Sequence, residues 1–234
     1  MPFFYYYDPT YILVLIGAVL SLWASATVKS TYNKYSRVYS YSGLTGAQAA
    51  AQILRQAGIY DVRIEHVSGN LTDHYDPKAR VLRLSDSVYG SNSVAAMGVA
   101  AHECGHAIQH ATGYAALSIR GALVPIANFG STIAWPLILI GLFLNGNTSV
   151  LLLNIGILAF SMAVLFQIVT LPVEFNASRR AVKILDSTHM LYPEEVSATK
   201  KVLTAAALTY VASAASAILQ LLRILLLTGN RRND

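Results

Sequence analysis

The stretch that decides the fold is "SVLLLNIGILAFSMAVLFQIVTLP", residues 149–172, which contains no Asp, Glu, His, Lys or Arg. A helix needs about 20 apolar residues, each rising ~1.5 Å, to cross the hydrocarbon core of a bilayer. This segment is long enough to span a membrane. Three further apolar stretches have similar lengths, at residues 10–28, 123–144 and 202–227. The chain is therefore predicted to be mainly α-helical and integral to a membrane, with about four transmembrane helices.

The composition of the chain agrees with a membrane protein. Hydrophobic residues make up 54% of the 234 residues and charged residues 12%, about half of the roughly 25% that is typical of soluble domains. The net charge of +5 would suit a nucleic-acid partner only if the basic residues formed a stripe or an arm. They instead flank the apolar segments, so we expect a lipid bilayer as the partner and no nucleic acid. The single cysteine, Cys104, excludes an intrachain disulfide.

The distribution of basic residues predicts the orientation of the chain. With four spans, residues 29–121 and residues 173–201 lie on the same face of the membrane. All lysines and arginines except Arg223, Arg231 and Arg232 fall in these two segments. Because short segments beside membrane spans carry an excess of Lys and Arg on the cytoplasmic side, both segments are predicted to be cytoplasmic.

The segment between the first two spans is predicted to form a small α+β subdomain. "GLTGAQAAAQILRQA" has a turn signal followed by apolar residues at helical spacing, which predicts a helix over residues 45–57. "DVRIEHV" and "ARVLRLSD" alternate apolar and polar residues on either side of the turn signal "YDPK", which predicts a small antiparallel sheet. "NSVAAMGVAAHECGHAIQHATG" then predicts a helix over residues 91–112, with Gly113 just past its end.

His102-Glu103-Cys104-Gly105-His106, within that last helix, matches the motif HExxH. Residues four apart share one face of a helix, so the imidazoles of His102 and His106 can bind one zinc ion together. Zinc takes neutral imidazole nitrogens, and a catalytic site leaves one of its four positions open for water. Glu103 is placed beside the ion, where it can accept a proton from that water. The alternative is a helix whose histidines pack or face solvent.

His110 continues the spacing of the histidines but does not complete the site. Its separation from His102 along the helix is about 12 Å, too far for both to bind one ion. A pair formed by His106 and His110 would put Ala107 where the base belongs. His110 is therefore predicted to support the ligands from behind or to lie on the surface. A metzincin would have its third histidine at position 112, which is Thr112 here, so the third ligand must lie elsewhere.

Glu174 is the best candidate for the third ligand. It follows the third span by two residues, lies on the same predicted membrane face as the HExxH helix and begins a polar helical pattern. The alternative is an ordinary interfacial carboxylate beside the basic residues that follow it. The other acidic residues of this loop lie in a turn-rich stretch and are predicted to be solvated: Asp186, Glu194 and Glu195.

The combined motifs resemble those of the membrane gluzincins that include the CAAX-prenyl proteases and the HtpX-like proteases. In this chain HExxH is followed, about 70 residues later and after a membrane span, by E-x-x-A-x-x-x-A, and this order of motifs resembles that of those families. The resemblance implies that Glu174 is the third ligand, with Ala177 and Ala181 matching the motif. Ser178 departs from the pattern, because those families usually carry an aspartate there that orients a histidine ligand. Another group is therefore expected to support the histidine ligands.

Longer collinear stretches resemble one family over nearly the whole chain. "SLWASATVKSTYNKYS", "GLTGAQAA", "LTDHYDP", "VAAHECGHAIQHATGYA" and "ALVPIANFGS" are similar to the YugP-like family of putative neutral membrane zinc metallopeptidases. The resemblance implies a bacterial multi-pass protein of the cytoplasmic (inner) membrane. One Zn²⁺ per chain is expected, and the bias of Lys and Arg places the catalytic site on the cytoplasmic side.

These observations predict a membrane-embedded zinc endopeptidase that acts on membrane-associated proteins or peptides. Zinc-activated water would attack the peptide carbonyl, with Glu103 as general base. A catalytically silent zinc-binding membrane scaffold or adaptor is the alternative, although it would have no use for a base at this position. A metal transporter would need ionisable residues within its spans, and the first three spans contain none.

The chain is predicted to have five segments. Residues 1–28 form an N-terminal transmembrane helix, and residues 29–121 form the metallopeptidase subdomain with the HExxH helix. Residues 122–172 form two transmembrane helices. Residues 173–201 form the helical segment with the third ligand, and residues 202–234 form the C-terminal transmembrane helix and tail.

A peptidase is expected to need two further features, a strand that binds the substrate and a donor that stabilises the oxyanion. An edge strand beside the active-site helix can pair with an extended substrate, and "RVLRLS", residues 80–85, is placed either for that role or as the inner strand of a hairpin. A donor that stabilises the oxyanion besides zinc is also expected. Its candidates are His189, Tyr192, Arg179 and His74.

Overall fold

The computed structural model describes residues 8–229, which form seven helices and three strands. In chain order these are α1 (Tyr11–Tyr35), α2 (Gly46–Gln56), β1 (Arg63–Val67), β2 (His74–Asp76), β3 (Val81–Ser85), α3 (Asp86–Tyr89), α4 (Val94–Ala111), α5 (Ala115–Phe143), α6 (Gly146–Ser187) and α7 (Pro193–Gly229). Four of the helices, α1, α5, α6 and α7, are long and apolar enough to cross a membrane. The predicted fold class is therefore confirmed. The first residues of the predicted N-terminal segment lie outside the described residues, as do Arg231 and Arg232.

The long helices extend beyond the apolar stretches that predict them. α6 runs without interruption from Gly146 through Pro172 to Ser187. The ligand-bearing helical segment expected after Pro172 is therefore a continuation of the third span rather than a new helix. α7 likewise begins at Pro193, well before its apolar stretch. A proline inside a membrane helix removes one backbone hydrogen bond, and the packing of neighbouring helices makes this tolerable.

Contacts divide the chain into two compact units. One contains the residues up to Trp23, Arg120–Val169 and the residues from Val211 onward, and the other contains Ala24–Ile119 and Thr170–Tyr210. The second unit thus combines most of the two segments that are predicted to lie on one membrane face. The five-segment division stays a prediction.

In the first unit, small residues let apolar helices approach closely. A Cβ added to Gly130 of α5 would lie 2.7 Å from the carbonyl oxygen of Ala159 in α6. Ser216 of α7 donates a hydrogen bond of 2.9 Å to the carbonyl oxygen of Gly17 in α1. Such contacts are typical of helix packing in membranes, where small side chains allow the backbones to come together.

The second unit contains a three-stranded sheet in the order β1-β3-β2. β1 pairs with β3 in parallel, and β2 pairs with β3 in antiparallel fashion. The predicted antiparallel pairing of the first and last strands is wrong, because β2 forms between them and reverses the chain once more. β3 is the central strand, so residues 80–85 do not provide an edge, and β2 is an edge strand instead. The predicted turn follows β2, where Asp76 accepts hydrogen bonds from the backbone N–H groups of Lys78 and Ala79.

α4 is largely buried in the second unit. Ser93 caps its N-terminus by accepting a hydrogen bond from the backbone N–H of Ala96, and Gly113, with a φ of +61°, follows its C-terminus. α2 begins with a capping box formed by Thr45 and Gln48. Both helices lie within their predicted ranges. A buried apolar cluster with residues from α2, β3 and α4 holds the HExxH helix in place.

Candidate metal centre

α4 carries both histidines of the HExxH motif on one face. His102 and His106 are one helical turn apart, and their ring centroids are separated by 4.8 Å with the rings nearly perpendicular. His106 is buried, and the side chain of His102 is 13% exposed. The two rings are therefore held in a mostly enclosed place, with limited access from solvent.

α6 brings Glu174 to the same place. Its Oε2 atom lies 3.2 Å from Nε2 of His102 and 3.5 Å from Nε2 of His106. Glu174 is only 2% exposed. The donor atoms of the three residues all lie within 4.8 Å of one another, so the group could hold a metal ion.

Two of the separations between these donor atoms fit a zinc ion. Zinc bonds to imidazole nitrogen and carboxylate oxygen are about 2.0 to 2.2 Å long, so tetrahedral donors lie about 3.3 to 3.6 Å apart. The two distances from the Glu174 oxygen, 3.2 and 3.5 Å, are close to that separation. Two imidazoles and one carboxylate also leave the fourth position open, which is the arrangement of catalytic zinc sites.

The charges around His106 favour a cation at this point. Burial alone would lower the pKa of His106, but its hydrogen bond to Glu174 and the charges of Glu103 and Glu174 raise that pKa above its usual value. Glu103 is itself only 8% exposed. Two mostly buried carboxylates thus act on one imidazole, and they stabilise a positive charge whether a proton or a metal ion carries it.

Gly105 lets α6 approach α4 closely. A Cβ added to Gly105 would lie 2.7 Å from the carbonyl oxygen of Ala177, a separation that real Cβ atoms essentially never show. Ala177 and Ala181 are both fully buried. The small residues of HExxH and of E-x-x-A-x-x-x-A therefore act together, because they let the two helices pack closely enough for Glu174 to reach the histidines.

A chain of hydrogen bonds orients the His106 ring. Arg180 Nε can only donate, and it lies 2.8 Å from Asn176 Oδ1, so that oxygen is an acceptor. Gln109 Nε2 donates to the same oxygen at 3.0 Å and to the carbonyl oxygen of Val173 at 2.8 Å. The other polar atom of Gln109, Oε1, lies 3.0 Å from His106 Nδ1. Because Oε1 can only accept, Nδ1 carries a proton, and Nε2 is the nitrogen available to a metal.

Ser178 supports the other histidine. Its Oγ atom lies 3.1 Å from Nδ1 of His102. The expectation that another group replaces the aspartate of the gluzincin motif is therefore wrong for His102. The close packing of α4 and α6 allows even a short serine side chain to reach the imidazole, and a hydroxyl oxygen can accept a hydrogen bond as a carboxylate does.

Cys104 lies between the two histidines in sequence but is fully buried. Its Sγ atom is 3.7 Å from the carbonyl oxygen of Ala50 in α2. Burial, together with the charge of Glu103, raises the pKa of the Cys104 thiol well above its usual range. Since the thiolate is the reactive form of cysteine, we expect this thiol to be inert in the folded protein.

Labelling with a maleimide tests the burial of Cys104. We expect the native protein to resist the reagent at mildly alkaline pH, and to take up one label per chain after unfolding in denaturant, since the chain has one cysteine. The mass of the intact chain measures the number of labels. Rapid labelling of the folded protein would show that α4 opens away from α2.

The other residues considered as ligands do not join the three donors. His110 is exposed. Of the two alternatives predicted for it, support of the ligands or a surface position, the surface position is confirmed. Asp186 and Glu194 are exposed, as predicted. Glu195 is half-buried, and its carboxylate accepts hydrogen bonds of 2.7 Å from the backbone N–H groups of Tyr41 and Tyr192.

The four candidate oxyanion donors, His74, Arg179, His189 and Tyr192, are all exposed. Nδ1 of His74 lies 2.8 Å from a backbone carbonyl oxygen two residues away, and the Tyr192 ring stacks on that of Tyr41 at 4.0 Å. The three convergent donor groups include none of the four. The oxyanion donor therefore stays a prediction with no preferred residue.

Sequence reasoning missed Gln109, Asn176 and the packing role of Gly105. Gln109 is fully buried in an apolar helix, three residues after His106 and hence on a neighbouring part of the same face. A buried polar side chain needs hydrogen-bond partners. A glutamine at this position of an HExxH helix is therefore a sequence signal for support of the second histidine.

Comparisons with known proteins point to the same chemistry. The model of a family described as "Putative neutral zinc metallopeptidase" matches residues 10–229 of the chain. A protein of Bacillus subtilis (strain 168) with the name "Putative membrane protease YugP" is 48% identical over 225 residues, which cover 96% of this chain and 99% of that protein. No solved structure matches the chain.

Proposed function

The chain belongs to the family of neutral zinc metallopeptidases, and from that premise we propose that it is a membrane-embedded zinc endopeptidase. Its substrates would be membrane-associated proteins or peptides. One observation supports this more than any other. The donor atoms of His102, His106 and Glu174 lie within 4.8 Å of one another, with the Glu174 oxygen 3.2 and 3.5 Å from the two imidazole nitrogens, and the mostly buried Glu103 adjoins His102 in sequence.

His102, His106 and Glu174 would hold one zinc ion per chain. When bound, zinc supplies Lewis acidity that polarises the scissile carbonyl and lowers the pKa of water. The imidazoles must bind as neutral groups. Gln109 helps to meet this requirement by holding the Nδ1 proton of His106, and Ser178 lies where it can do the same for His102.

Glu103 would act first as general base and then as general acid. Its carboxylate takes a proton from the attacking water and later delivers a proton to the nitrogen of the leaving amine. Because Glu103 is mostly buried, few solvent molecules compete for its proton. A structural zinc site has no role for a carboxylate at this position, which favours the enzyme over the catalytically silent scaffold.

The place of Glu174 in α6 favours substrates at the membrane. The residue follows Pro172, the end of the apolar stretch, by only two positions in the same helix. Its carboxylate should therefore lie within about 5 to 10 Å of the lipid headgroups. The excess of Lys and Arg in the second unit favours the cytoplasmic side, and the Bacillus relative favours the cytoplasmic membrane of a bacterium.

Removal of the metal tests the proposed function. The full chain, purified in detergent, is expected to cleave casein or a membrane protein, to stop when a chelator removes zinc, and to recover with one equivalent of zinc but not with magnesium. Gel analysis of the products and the zinc content of each sample measure the effect. Cleavage that continues at negligible zinc content would contradict the proposal. Zinc that stabilises the fold without any cleavage would favour the scaffold.

Replacement of Gln109 by methionine tests its positioning role. The variant keeps the volume of the side chain but leaves Nδ1 of His106 without its acceptor. Loss of a group that orients a metal ligand typically costs about 10- to 100-fold in metal affinity, and we expect a loss of zinc affinity in that range. Competition with a chromogenic chelator measures it.

The matched control for Gln109→Met is Gln52→Met, the same change at an exposed position of α2. The control should bind zinc as the unaltered protein does. Protection of Cys104 from maleimide in both variants shows that the fold is kept. Unchanged zinc affinity in Gln109→Met would mean that the glutamine does not hold the ligand.

A further inference from the structure

A cavity of about 550 Å³ lies in the second unit, between α1 and α7. Three lysines line it, Lys34 from α1 and Lys200 and Lys201 from α7, together with several threonine and serine hydroxyls. Ala205 and Leu208 of α7 add an apolar part to the lining. The cavity thus combines positive charge, hydroxyl donors and an apolar surface.

The cavity lies where the apolar stretches of both helices end. The predicted span of α1 ends before Lys34, and that of α7 begins just after Lys201. Ala205 and Leu208 lie within the apolar stretch of α7. In a bilayer, residues at such a boundary are at the level of the lipid headgroups, with the apolar residues toward the acyl chains.

No carboxylate in the part of the chain that the structure describes neutralises the three ammonium groups. None of them forms an ion pair with a carboxylate among residues 8–229, and no acidic side chain lines the cavity. Lys34 Nζ lies 5.4 Å from the centroid of the Tyr35 ring, a contact that leaves its charge in place. Like charges in one cavity repel each other, and a bound anion would relieve that repulsion.

We propose that this cavity binds the phosphate group of an anionic phospholipid. The lysines and hydroxyl groups contact the headgroup, and an acyl chain extends along Ala205 and Leu208. A free phosphate ion has the same charge but nothing to place against the apolar part of the cavity, so a lipid is the expected source of the phosphate. The site does not depend on the proposed peptidase activity.

Native mass spectrometry of the delipidated full chain in detergent tests the lipid site. The chain is titrated with phosphatidylglycerol or with phosphatidylcholine of the same acyl chains, and we expect phosphatidylglycerol to be retained preferentially. A basic residue near anionic lipid contributes about a fivefold gain in binding. The triple variant Lys34→Gln, Lys200→Gln, Lys201→Gln should therefore bind phosphatidylglycerol on the order of a hundredfold more weakly.

Two controls and one competitor make the test specific. Replacing the same three lysines by arginine should keep the preference for phosphatidylglycerol. Removing three exposed charges elsewhere, in Arg55→Gln, Arg63→Gln, Lys78→Gln, should leave it unchanged. Equal retention of the two lipids by the unaltered chain, or an equal loss in the control triple variant, would overturn the proposal. So would displacement of the lipid by an equal concentration of inorganic phosphate.

Discussion

Replacing Glu174 by glutamine is expected to abolish stoichiometric zinc binding. The substitution keeps the volume of the side chain but removes the negative charge whose oxygen lies 3.2 and 3.5 Å from the two imidazole nitrogens. Two neutral imidazoles remain, and zinc prefers a further strong ligand in such sites. The loss should exceed the roughly 10- to 100-fold that follows from disturbing a supporting residue. Elemental analysis and chelator competition on the purified chain measure it.

Asp186→Asn is the matched control for Glu174→Gln. It makes the same chemical change at an exposed position of the same helix, and it should keep one zinc ion per chain. Cys104 should stay protected from maleimide in both variants, which would show that α4 remains packed. Stoichiometric zinc with unchanged affinity in Glu174→Gln would exclude that residue as the third ligand. Loss of zinc in Asp186→Asn alone would assign the role to Asp186.

The helix that carries HExxH could be predicted closely because its signals are local. An apolar run and Gly113 after its end mark its limits within a few residues of α4, and Ser93 caps the observed N-terminus. Each of these signals acts through neighbouring backbone groups, so no knowledge of the remaining chain is needed. The spacing of the two histidines on one face follows from helix geometry alone.

The extent of α6 could not be predicted in the same way. Hydropathy locates the part of a helix that contacts lipid. The end of a helix depends instead on where its backbone groups no longer find helical hydrogen-bond partners. Beyond Pro172 the helix turns polar, and it continues because Val173, Ala177 and Ala181 are buried, with Ala177 against Gly105 of α4. The change from lipid to protein surroundings along α6 therefore has the same sequence pattern as a boundary between two segments.

The pairing of the strands depends on contacts that no local pattern specifies. Alternation identified β1 and β3, but it does not say which strands are neighbours. β2 is only three residues long and overlaps a strong turn signal, so its sequence indicates a turn rather than a strand. Once β2 pairs with β3, the chain has reversed twice between β1 and β3, and those two strands must run in parallel.

The support for the ligands depends on distances between α4 and α6. Gly105 determines how closely these helices pack, and only that closeness lets Ser178 reach His102. The sequence therefore predicts which residue types can bind zinc more readily than it predicts which residues hold them in place. Which atom of the Gln109 amide faces His106 depends on Asn176 and Arg180 of the neighbouring helix α6.

Replacing Glu103 by glutamine is expected to stop catalysis and to leave zinc binding intact. Glutamine has nearly the same shape as glutamate, but its amide cannot accept a proton from water at neutral pH. General acid–base groups typically contribute about 10²- to 10⁴-fold to the rate, and we expect kcat/KM to fall by at least that range. Initial rates of cleavage, measured at equal zinc content, give the loss.

Two comparisons are needed to interpret Glu103→Gln. One is its zinc content, and the other is the control variant Glu194→Gln, the same change at an exposed position of α7. Glu103 is not among the three convergent donors, so its replacement should remove activity without removing zinc, whereas Glu174→Gln should remove both. The exposed control should change neither. If Glu103→Gln cleaves as fast as the unaltered enzyme, Glu103 is not the base, and another carboxylate must take the proton. If it loses zinc, the glutamate belongs to the binding site.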